Sequence, residues 1–229
     1  MEETATENPR QLNAVDRKRV MQAVYKKSLM LLAKECLGYG DLNERTHGVI
    51  VRLLSDSCRR KLICVPRGCL KSSLACVAYP IWLLINDPNK RILIDSELFT
   101  NSSTFIREIK LHLESPHMAN LFGEFKGSTW NSDEIMIKQR TRKLKEASVV
   151  AGGVGTTKVG QHYDVIIHDD MNSPENTNST DNAQKVINHF KYNISILEPD
   201  GIMVVIGTRY AENDVIGWIL ENEEVELVN

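Results

Sequence analysis

Residues 61–73 read Lys-Leu-Ile-Cys-Val-Pro-Arg-Gly-Cys-Leu-Lys-Ser-Ser, and this stretch indicates the fold most directly. The apolar residues at 61–65 predict a β-strand, and Lys71 with Ser72 opens a helical pattern over about 72–85. A strand, a tight loop and a helix start in this order are typical of a phosphate-binding loop, because backbone N–H groups and the helix N-terminus surround the anion. We therefore predict an anion-binding loop at residues 66–73.

This loop departs from the standard Gly-x-x-x-x-Gly-Lys-[Ser/Thr] pattern, since Val65 and Leu70 occupy its two glycine positions. In the standard loop the lysine reaches the β- and γ-phosphates, and the hydroxyl that follows it ligates Mg²⁺. We assign these two roles to Lys71 and Ser72. The predicted ATP-binding residues are Pro66, Arg67, Gly68, Cys69, Leu70, Lys71, Ser72 and Ser73.

A second apolar strand, at residues 163–168, ends in the adjacent carboxylates Asp169 and Asp170, which is the form of a Walker B element. Neighbouring side chains of a strand point in different directions, so the two carboxylates can have different tasks. We assign Asp169 to the Mg²⁺ ion and Asp170 to the attacking water as general base. Two solvated acids at a strand end are the alternative, which the phosphate loop about 100 residues earlier disfavours.

A third strand, at residues 202–206, ends in Gly207, Thr208 and Arg209. Thr208 can sense the γ-phosphate and couple its state to the rest of the chain, and Arg209 can contact phosphate or a neighbouring acid. An ordinary strand end with a hydrogen-bonded threonine explains the same residues. We favour the coupling role because the other two motifs are present.

Strands and helices alternate along the chain from residue 61 onward. The apolar periodicity predicts strands at 61–65, 90–95, 163–168, 202–206 and 224–228, with short β segments at 134–138 and 148–151. It predicts helices at 11–37, 43–57, 72–85, 99–114, 180–197 and 213–221. This alternation predicts an α/β fold with a mostly parallel sheet that helices cover on both faces. Ligands of such sheets bind at the carboxyl ends of the strands, which is where all three motifs lie.

Composition excludes several classes of protein. The 229 residues are 42% apolar and 25% charged, as in globular proteins and unlike disordered chains or coiled coils. The longest apolar stretch, at 75–85, is too short to cross a membrane, and the charged N-terminus does not have the pattern of a signal peptide, so we expect no membrane partner. Five cysteines without a CxxC pair predict reduced thiols rather than disulfides or a zinc site.

The net charge of −2 is distributed unevenly along the chain. Residues 1–163 carry a net charge of +8, and residues 164–229 carry −10. A basic region of this size can face a polyanion, and its densest part lies at residues 138–145. A solvated loop is the alternative interpretation of that basic run.

Three histidines have functional and structural interpretations. His47 can stack on an adenine ring, although a histidine on a helix is more often packed or solvated. His162 and His168 flank the strand at 163–168 and, together with the two aspartates, suggest a transition-metal site. His168 is expected to point away from Asp169, because the two are adjacent on a strand, and this argues against such a site.

The three motifs, their order and their spacing resemble the large subunit of the DNA-packaging terminase of tailed bacteriophages. The similarity covers about residues 40–220. Besides the three motifs, it includes residues 84–96, Trp130 and residues 160–170. An arginine four residues before the lysine of the phosphate loop is usual in that family, and Arg67 has this position. The resemblance implies an ASCE-type P-loop NTPase fold, with a helical segment at 1–40 packed on an ATPase domain at 41–229.

The resemblance also implies a function, namely a Mg-ATP-hydrolysing motor that drives double-stranded viral DNA into a procapsid. It implies ATP and Mg²⁺ as cofactors, and double-stranded DNA, the portal protein of the procapsid and the small terminase subunit as partners. A homo-oligomeric ring, a pentamer, would act in the cytoplasm of the infected bacterial host. Catalysis would fall to Arg67, Lys71, Asp169 and Asp170, and coupling to Thr208 and Arg209, although family members often have glutamate at the position of Asp170.

In such a ring, a cation of the neighbouring subunit often completes each active site and often lies just before the Walker B strand. Lys158 is the cation nearest to that position. We expect either the DNA contacts or this trans-acting residue among five candidates: Arg140, Arg142, Lys143, Lys145 and Lys158.

Two other functions fit the same motifs, namely a helicase-like DNA translocase and a non-catalytic nucleotide-binding module. A full-length large terminase also has a nuclease domain, for which residues 221–229 leave no room. We therefore expect no DNA cleavage by this chain, and we expect it to be a monomer in isolation. Turnover of ATP with and without Mg²⁺ separates a motor from a module.

Overall fold

The computed structural model describes residues 13–66, 68–156, 158 and 160–228. Within them, the strands are β1 (Arg60–Ile63), β2 (Ile92–Ser96), β3 (Lys126–Trp130), β4 (Glu134–Ile137), β5 (Val149–Gly153), β6 (Tyr163–Asp169), β7 (Leu197–Ile206) and β8 (Glu226–Val228). They form one sheet in the order β3-β4-β5-β2-β6-β7-β1-β8. The strands from β5 to β8 in this order are parallel, whereas β4 is antiparallel to both of its neighbours.

The α-helices are α1 (Ala14–Lys27), α2 (Leu29–Leu31), α3 (Glu44–Ser55), α4 (Tyr79–Asn86), α5 (Phe99–Leu113), α6 (Pro116–Phe122), α7 (Thr180–Ser195) and α8 (Val215–Asn222). A π-helix, Leu32–Cys36, follows α2, and a second π-helix, Ser73–Ala78, precedes α4. None of the helices in the described part of the chain is long and apolar enough to cross a membrane.

Each face of the sheet has its own apolar core, because successive side chains of a strand alternate between the faces. On β6, Val165 and Ile167 pack in the core that α1 to α6 form with the sheet, whereas Ile166 packs in the core formed with α7 and α8. Helices therefore cover both faces of a mostly parallel sheet, which confirms the predicted α/β architecture.

The order of the central strands is that of the ASCE-type fold. β7 lies between β1 and β6, so an additional strand separates the strand that enters the predicted phosphate loop from the strand that ends in Asp169. β1 pairs with β7 from Arg60 to Ile63, and β6 pairs with the other side of β7 up to Ile206. This arrangement positions both motifs at the same edge of the sheet.

The N-terminal helix is divided where the sequence predicts one helix at 11–37. The backbone of Ser28 is extended (φ −126°, ψ 107°), and its hydroxyl oxygen accepts a hydrogen bond from Leu31 N–H, so a new helix begins there. Tyr25, Leu29 and Leu32 are buried in the same core as the sheet. Residues 1–12, with the start of the predicted helix, lie outside the described residues, and the domain boundary at 40/41 stays a prediction.

Three other elements differ from the expected ones. The sequence pattern predicts neither β3 nor α6, because both are short and β3 is an exposed edge strand with only partly buried residues. β7 begins at Leu197 rather than at 202, because Leu197 pairs with Tyr163 ahead of an irregularity in the ladder.

Candidate active site

The carboxyl ends of β1, β2, β6 and β7 meet at one edge of the sheet, because these strands are parallel. β1 leads into residues 64–71, β6 ends at Asp169, and β7 leads into Gly207 and Thr208. On the other side of β6, Ser96 of β2 is the direct neighbour of Asp169. The structure thus brings the three sequence motifs together at this carboxyl edge.

The phosphate loop has a positive φ at Leu70, the position where the standard pattern has glycine. Leu70, which stands in a glycine position of the standard pattern, has φ +47°, and Gly68 has φ +86°. Both angles are in the left-handed region that glycine populates freely and other residues populate at a cost. Pro66 and Gly68 are exposed, and Cys69 is half-buried. Arg67 lies outside the described residues, so its part in ATP binding stays a prediction.

The helix after the loop starts with the two residues that carry the predicted phosphate and metal roles. Lys71 is only 6% exposed although its side chain is charged. Ser72 donates its hydroxyl to Oδ1 of Asp169 at 2.7 Å, across 97 residues of sequence. Ser73 then begins the π-helix, a form of helix that is frequent at functional sites.

Asp169 is a buried carboxylate whose proton affinity is increased. Its pKa is raised to about 6, chiefly by burial and also by the charge of the nearby Asp170, although the Ser72 hydrogen bond and the charge of Lys71 act in the opposite direction. Two oxygen ligands therefore converge here, Oγ of Ser72 and Oδ1 of Asp169. Oxygen ligands suit Mg²⁺, which proteins usually hold through one or two carboxylates together with substrate phosphates.

No cluster of three or more His, Cys, Asp or Glu side chains able to hold a metal exists among the described residues. The two oxygen atoms of Ser72 and Asp169 fit a magnesium ion whose other ligands are nucleotide phosphates and water. His168 has no place in such a site. It is fully buried on the face opposite to Asp169, where its ring packs against Phe190 at 5.1 Å between centroids, as the strand alternation predicted.

Asp170 has a strained backbone and lies beside the coupling motif. Its φ is +43°, and its N–H donates to the carbonyl of Ile206 at 2.9 Å. A Cβ atom placed on Gly207 would lie 3.8 Å from Oδ1 of Asp170. The carboxylate proposed to act on water thus borders the first residue of the segment Gly207-Thr208-Arg209.

The segment after β7 is shaped by Asp214, to which none of the three motifs assigns a role. Asp214 is fully buried, and its carboxylate accepts from the N–H groups of Tyr210 (2.8 Å), Ala211 (3.2 Å) and Gly217 (2.9 Å). Its position directly before the apolar helix α8 is the signal of an N-cap. The exposed Arg209 donates to the carbonyls of Ala211 and Glu212 at 3.4 Å each, so its guanidinium contacts its own loop.

A second missed residue is Glu97, which directly follows β2 at the same edge. Its carboxylate accepts from the hydroxyl of Ser173 and from the amide of Asn176, both in the loop after Asp170. The sequence offers one signal for Glu97, namely its place at the carboxyl end of a buried strand next to the Walker B strand.

The five basic candidates do not lie at the carboxyl edge. The segment 138–145 follows β4, which runs antiparallel to β5, and Asn89, just before β2, accepts from the N–H groups of Thr141 and Arg142. A Cβ on Gly160 would lie 3.5 Å from Nζ of Lys145, and the carbonyl of Lys158 accepts from Gln161 N–H just before β6. These residues therefore lie near the amino edge.

Arg140 differs from the other candidates in its surroundings. Its guanidinium donates to the carbonyl of Glu146, and its Nε and Nη2 atoms are buried. Burial lowers its pKa, as does the neighbouring Arg91. Because its side chain is partly buried, Arg140 is less suited to a DNA contact than Arg142, Lys143 and Lys145, which are exposed, and its role stays a prediction.

His47 has a packing role. It is 5% exposed on α3, and its Nδ1 accepts from the N–H of Asn43 at 3.1 Å. These contacts favour the packed interpretation over an adenine contact.

Solved structures with the same fold include two phage proteins and a yeast protein. The HK97 bacteriophage large terminase has a TM-score of 0.59 at 10% identity, over 86% of this chain and 40% of the terminase chain. The large terminase ATPase domain of Thermus phage P74-26, a point mutant, has a TM-score of 0.54 at 15% identity, over 82% of this chain and 72% of that domain. Dbp5 of S. cerevisiae, bound to Nup159, Gle1, IP6 and ADP, has a TM-score of 0.53 at 13% identity, over 87% of this chain and 52% of Dbp5.

The chain thus spans about half of the Dbp5 chain and less than half of the HK97 terminase. No protein-family model matches it, and no curated protein matches its sequence. At these low identities the likeness establishes the fold alone. The resemblance stated from the motifs is confirmed at that level: the chain has the P-loop ATPase fold that the ATPase domains of phage large terminases share with Dbp5.

Proposed function

We propose that the chain is the Mg-ATP-hydrolysing motor domain that powers translocation of double-stranded viral DNA into a procapsid. The observation that carries this proposal is the 2.7 Å hydrogen bond between Ser72 and Asp169, because it joins the phosphate loop to the Walker B carboxylate. The proposed partners are further copies of the chain in a pentameric ring, the portal protein and the small terminase subunit. The proposed location is the cytoplasm of the infected bacterial host.

Each residue at the carboxyl edge has a definite task in this proposal. Lys71 and the N–H groups of the loop bind the β- and γ-phosphates, and Ser72 with Asp169 holds the metal. Mg²⁺, when bound, neutralises charge on the phosphate oxygens. Asp170 orients the attacking water and accepts its proton. Thr208, two residues beyond β7, responds to the γ-phosphate.

The exposed cations at the amino edge are the proposed contacts to DNA or to a neighbouring active site. A motor that moves DNA of any sequence must bind phosphates, which carry no sequence information. Arg142, Lys143 and Lys145 meet this requirement because they are exposed. Lys158, which precedes β6, is the alternative trans-acting cation.

Two alternatives use the same site. The fold does not separate a packaging motor from a helicase-like translocase, since Dbp5 and the P74-26 terminase domain match with TM-scores of 0.53 and 0.54. A non-catalytic nucleotide-binding module is favoured by the short, strained Asp170 at the position of the general base. The presence or absence of Mg²⁺-dependent turnover decides between a motor and this module.

Lys71→Ala tests the proposed function. We expect it to abolish ATP hydrolysis and to raise the Kd for Mg-ATP by about 10- to 100-fold, because a charge-assisted contact to phosphate is lost. Lys34→Ala, at an exposed lysine of the first π-helix, is the control and should behave like the parent. Binding and turnover at parental levels in Lys71→Ala would show that the phosphate loop is assigned wrongly.

A further inference from the structure

The loop after Asp170 is attached to the end of β2 through a single carboxylate. Oε1 of Glu97 accepts from Oγ of Ser173 and from Nδ2 of Asn176, the latter at 3.1 Å. These partners lie 76 and 79 residues further along the chain. Two hydrogen bonds to one side-chain oxygen thus fix residues 173–176 relative to β2.

Asn176 transmits this constraint to the backbone of Met171, the residue after Asp170. The same Nδ2 that donates to Glu97 also donates to the carbonyl of Met171, at 2.7 Å, and Met171 directly follows Asp170. Oδ1 of Asn176 accepts from the N–H of Ser173 at 2.8 Å, which closes the loop on itself. One amide side chain therefore connects Glu97 to the carbonyl of Met171, the residue after Asp170.

Asp170 requires such a constraint because its backbone is unfavourable. A residue other than glycine at φ +43° costs on the order of 1–2 kcal/mol, and such a conformation persists only where the surroundings enforce it. On the β7 side, the N–H of Asp170 is held by the carbonyl of Ile206. On the β2 side, the link through Asn176 and Glu97 holds the carbonyl of the following residue, Met171.

We propose that Glu97 is a positioning residue for ATP hydrolysis, which acts through Asn176 and Ser173 to hold the carboxylate of Asp170 in the direction that orients the attacking water. This inference rests on the proposed ATPase function. Glu97 contributes an acceptor oxygen at a fixed place, and it does not need to touch the substrate. A glutamine at this position retains such an oxygen, whereas an alanine does not.

Steady-state ATP turnover in the presence of Mg²⁺ tests the proposal with five variants. Glu97→Ala and Asn176→Ala should each lower kcat about 10-fold or more, with KM within about twofold of the parent, because a displaced catalytic group loses rate while the phosphate loop is unchanged. The double variant should be no worse than the more severe single variant, since both break the same link. Glu97→Gln should retain most of kcat. Glu175→Gln, at an exposed carboxylate of the same loop, is the matched control and should equal the parent.

Amide hydrogen exchange of the nucleotide-free protein gives a readout that does not depend on activity. Glu97→Ala and Asn176→Ala should speed exchange at Ser173 and Asn176, while the amides of β1 stay protected as in the parent. Parental kcat and exchange in Glu97→Ala would overturn the proposal, and so would a Glu97→Gln variant as inactive as Glu97→Ala, because the charge itself would then be needed. If the parent protein does not hydrolyse ATP, the proposed function fails, and the exchange rates still decide whether Glu97 holds the loop.

Discussion

Leu70 shows how a phosphate loop can lose a glycine and keep its shape. Its φ of +47° is the conformation for which glycine is normally selected, and its side chain is half-buried against the core. The packing of that side chain offsets part of the backbone cost, which is about 1–2 kcal/mol for a left-handed residue. A consensus motif compares only residue types. It therefore misses a loop in which a leucine adopts the positive φ that usually calls for glycine.

Substitutions at Leu70 should follow the backbone angle rather than hydrophobicity. Leu70→Gly should bind Mg-ATP at least as tightly as the parent, because glycine adopts φ +47° freely. Leu70→Val should weaken binding several-fold, because a β-branched residue strongly disfavours a positive φ. Titration of Mg-ATP by calorimetry measures both. Tighter binding by the valine variant than by the glycine variant would contradict this account.

Asp169 combines its proposed function with a cost in stability, and the size of that cost depends on pH. Its pKa of about 6 in the folded protein exceeds the ordinary 3.8, so the ionised form is disfavoured by folding, and stability falls as pH rises from 3.8 through 6. Asp169→Asn should therefore raise the free energy of unfolding of the nucleotide-free protein by about 2–3 kcal/mol at pH 8. Urea unfolding at pH 8 and pH 5 should show this difference shrinking at the lower pH.

The same variant should bind Mg-ATP more weakly, because a ligand of the metal loses its charge. Asp170→Asn is the matched comparison, since it should keep Mg-ATP bound and nearly stop hydrolysis. Equal losses of Mg-ATP binding in the two variants would contradict the assignment of different roles to these aspartates. A less stable Asp169→Asn protein at pH 8 would contradict the effect of burial on Asp169.

At the scale of elements, α8 and the segment after β7 form one unit around Asp214. Its carboxylate caps α8 and accepts from two N–H groups of the preceding loop. Gly217 permits this arrangement, because a Cβ there would lie 2.0 Å from the carbonyl oxygen of Glu212. Asn172 extends the unit toward Asp170, since its Oδ1 accepts from the N–H of Val215 at 3.3 Å.

Asp214→Ala should lower both stability and turnover. The loss of an N-cap costs about 0.5–2 kcal/mol, and the unpaired N–H groups of Tyr210 and Ala211 add to it. Thermal unfolding should show a lower Tm, and kcat should fall because the segment that carries Thr208 loses its shape. Glu212→Ala, at an exposed carboxylate two residues earlier, should change neither. A normal kcat in a destabilised Asp214→Ala protein would show that catalysis does not depend on the shape of this loop.

Elements formed by local sequence patterns can be predicted from the sequence, whereas features that depend on contacts between distant residues cannot. The buried strands β2 and β6 and the helices α5 and α7 have strong apolar periodicity, so their positions follow from the sequence within a few residues. The edge strand β3 lacks that periodicity. The link from Glu97 to Asn176 joins residues 79 positions apart, and the inward turn of Arg140 depends on the carbonyl of Glu146, so neither leaves a local pattern.

At the scale of the whole molecule, the sheet separates two chemical regions. The carboxyl edge holds Lys71, Asp169 and Asp170, and the amino edge holds the exposed cations of the segment 138–145. Residues 164–229 carry a net charge of −10, but their acids lie at both edges, since Asp164 and Glu198 pair with Arg91 just before β2. The isolated chain should be a slow ATPase, because a trans-acting cation is worth about 10³–10⁵ in rate in other nucleotide hydrolases.

Charge reversal at the amino edge tests its proposed role. Arg142→Glu with Lys143→Glu should weaken binding of duplex DNA and reduce the slope of log K against log salt by about 2, because two phosphate contacts are lost. Lys18→Glu with Arg19→Glu, on the exposed side of α1, is the control with the same change in charge. Fluorescence anisotropy at several salt concentrations measures both pairs. Equal losses in the two pairs would mean that net charge alone governs binding.

The length of β6, seven residues, sets the distance between these two edges of the sheet. A strand rises by about 3.3 Å per residue, so the edges lie roughly 20 Å apart. The strands between them are rigid and paired, and therefore a tilt of the sheet moves both ends together. Any rotation of the sheet about the nucleotide would therefore displace the amino edge in proportion to this separation. If the proposed motor works by such a rotation, the length of its central strands scales the displacement at the basic segment.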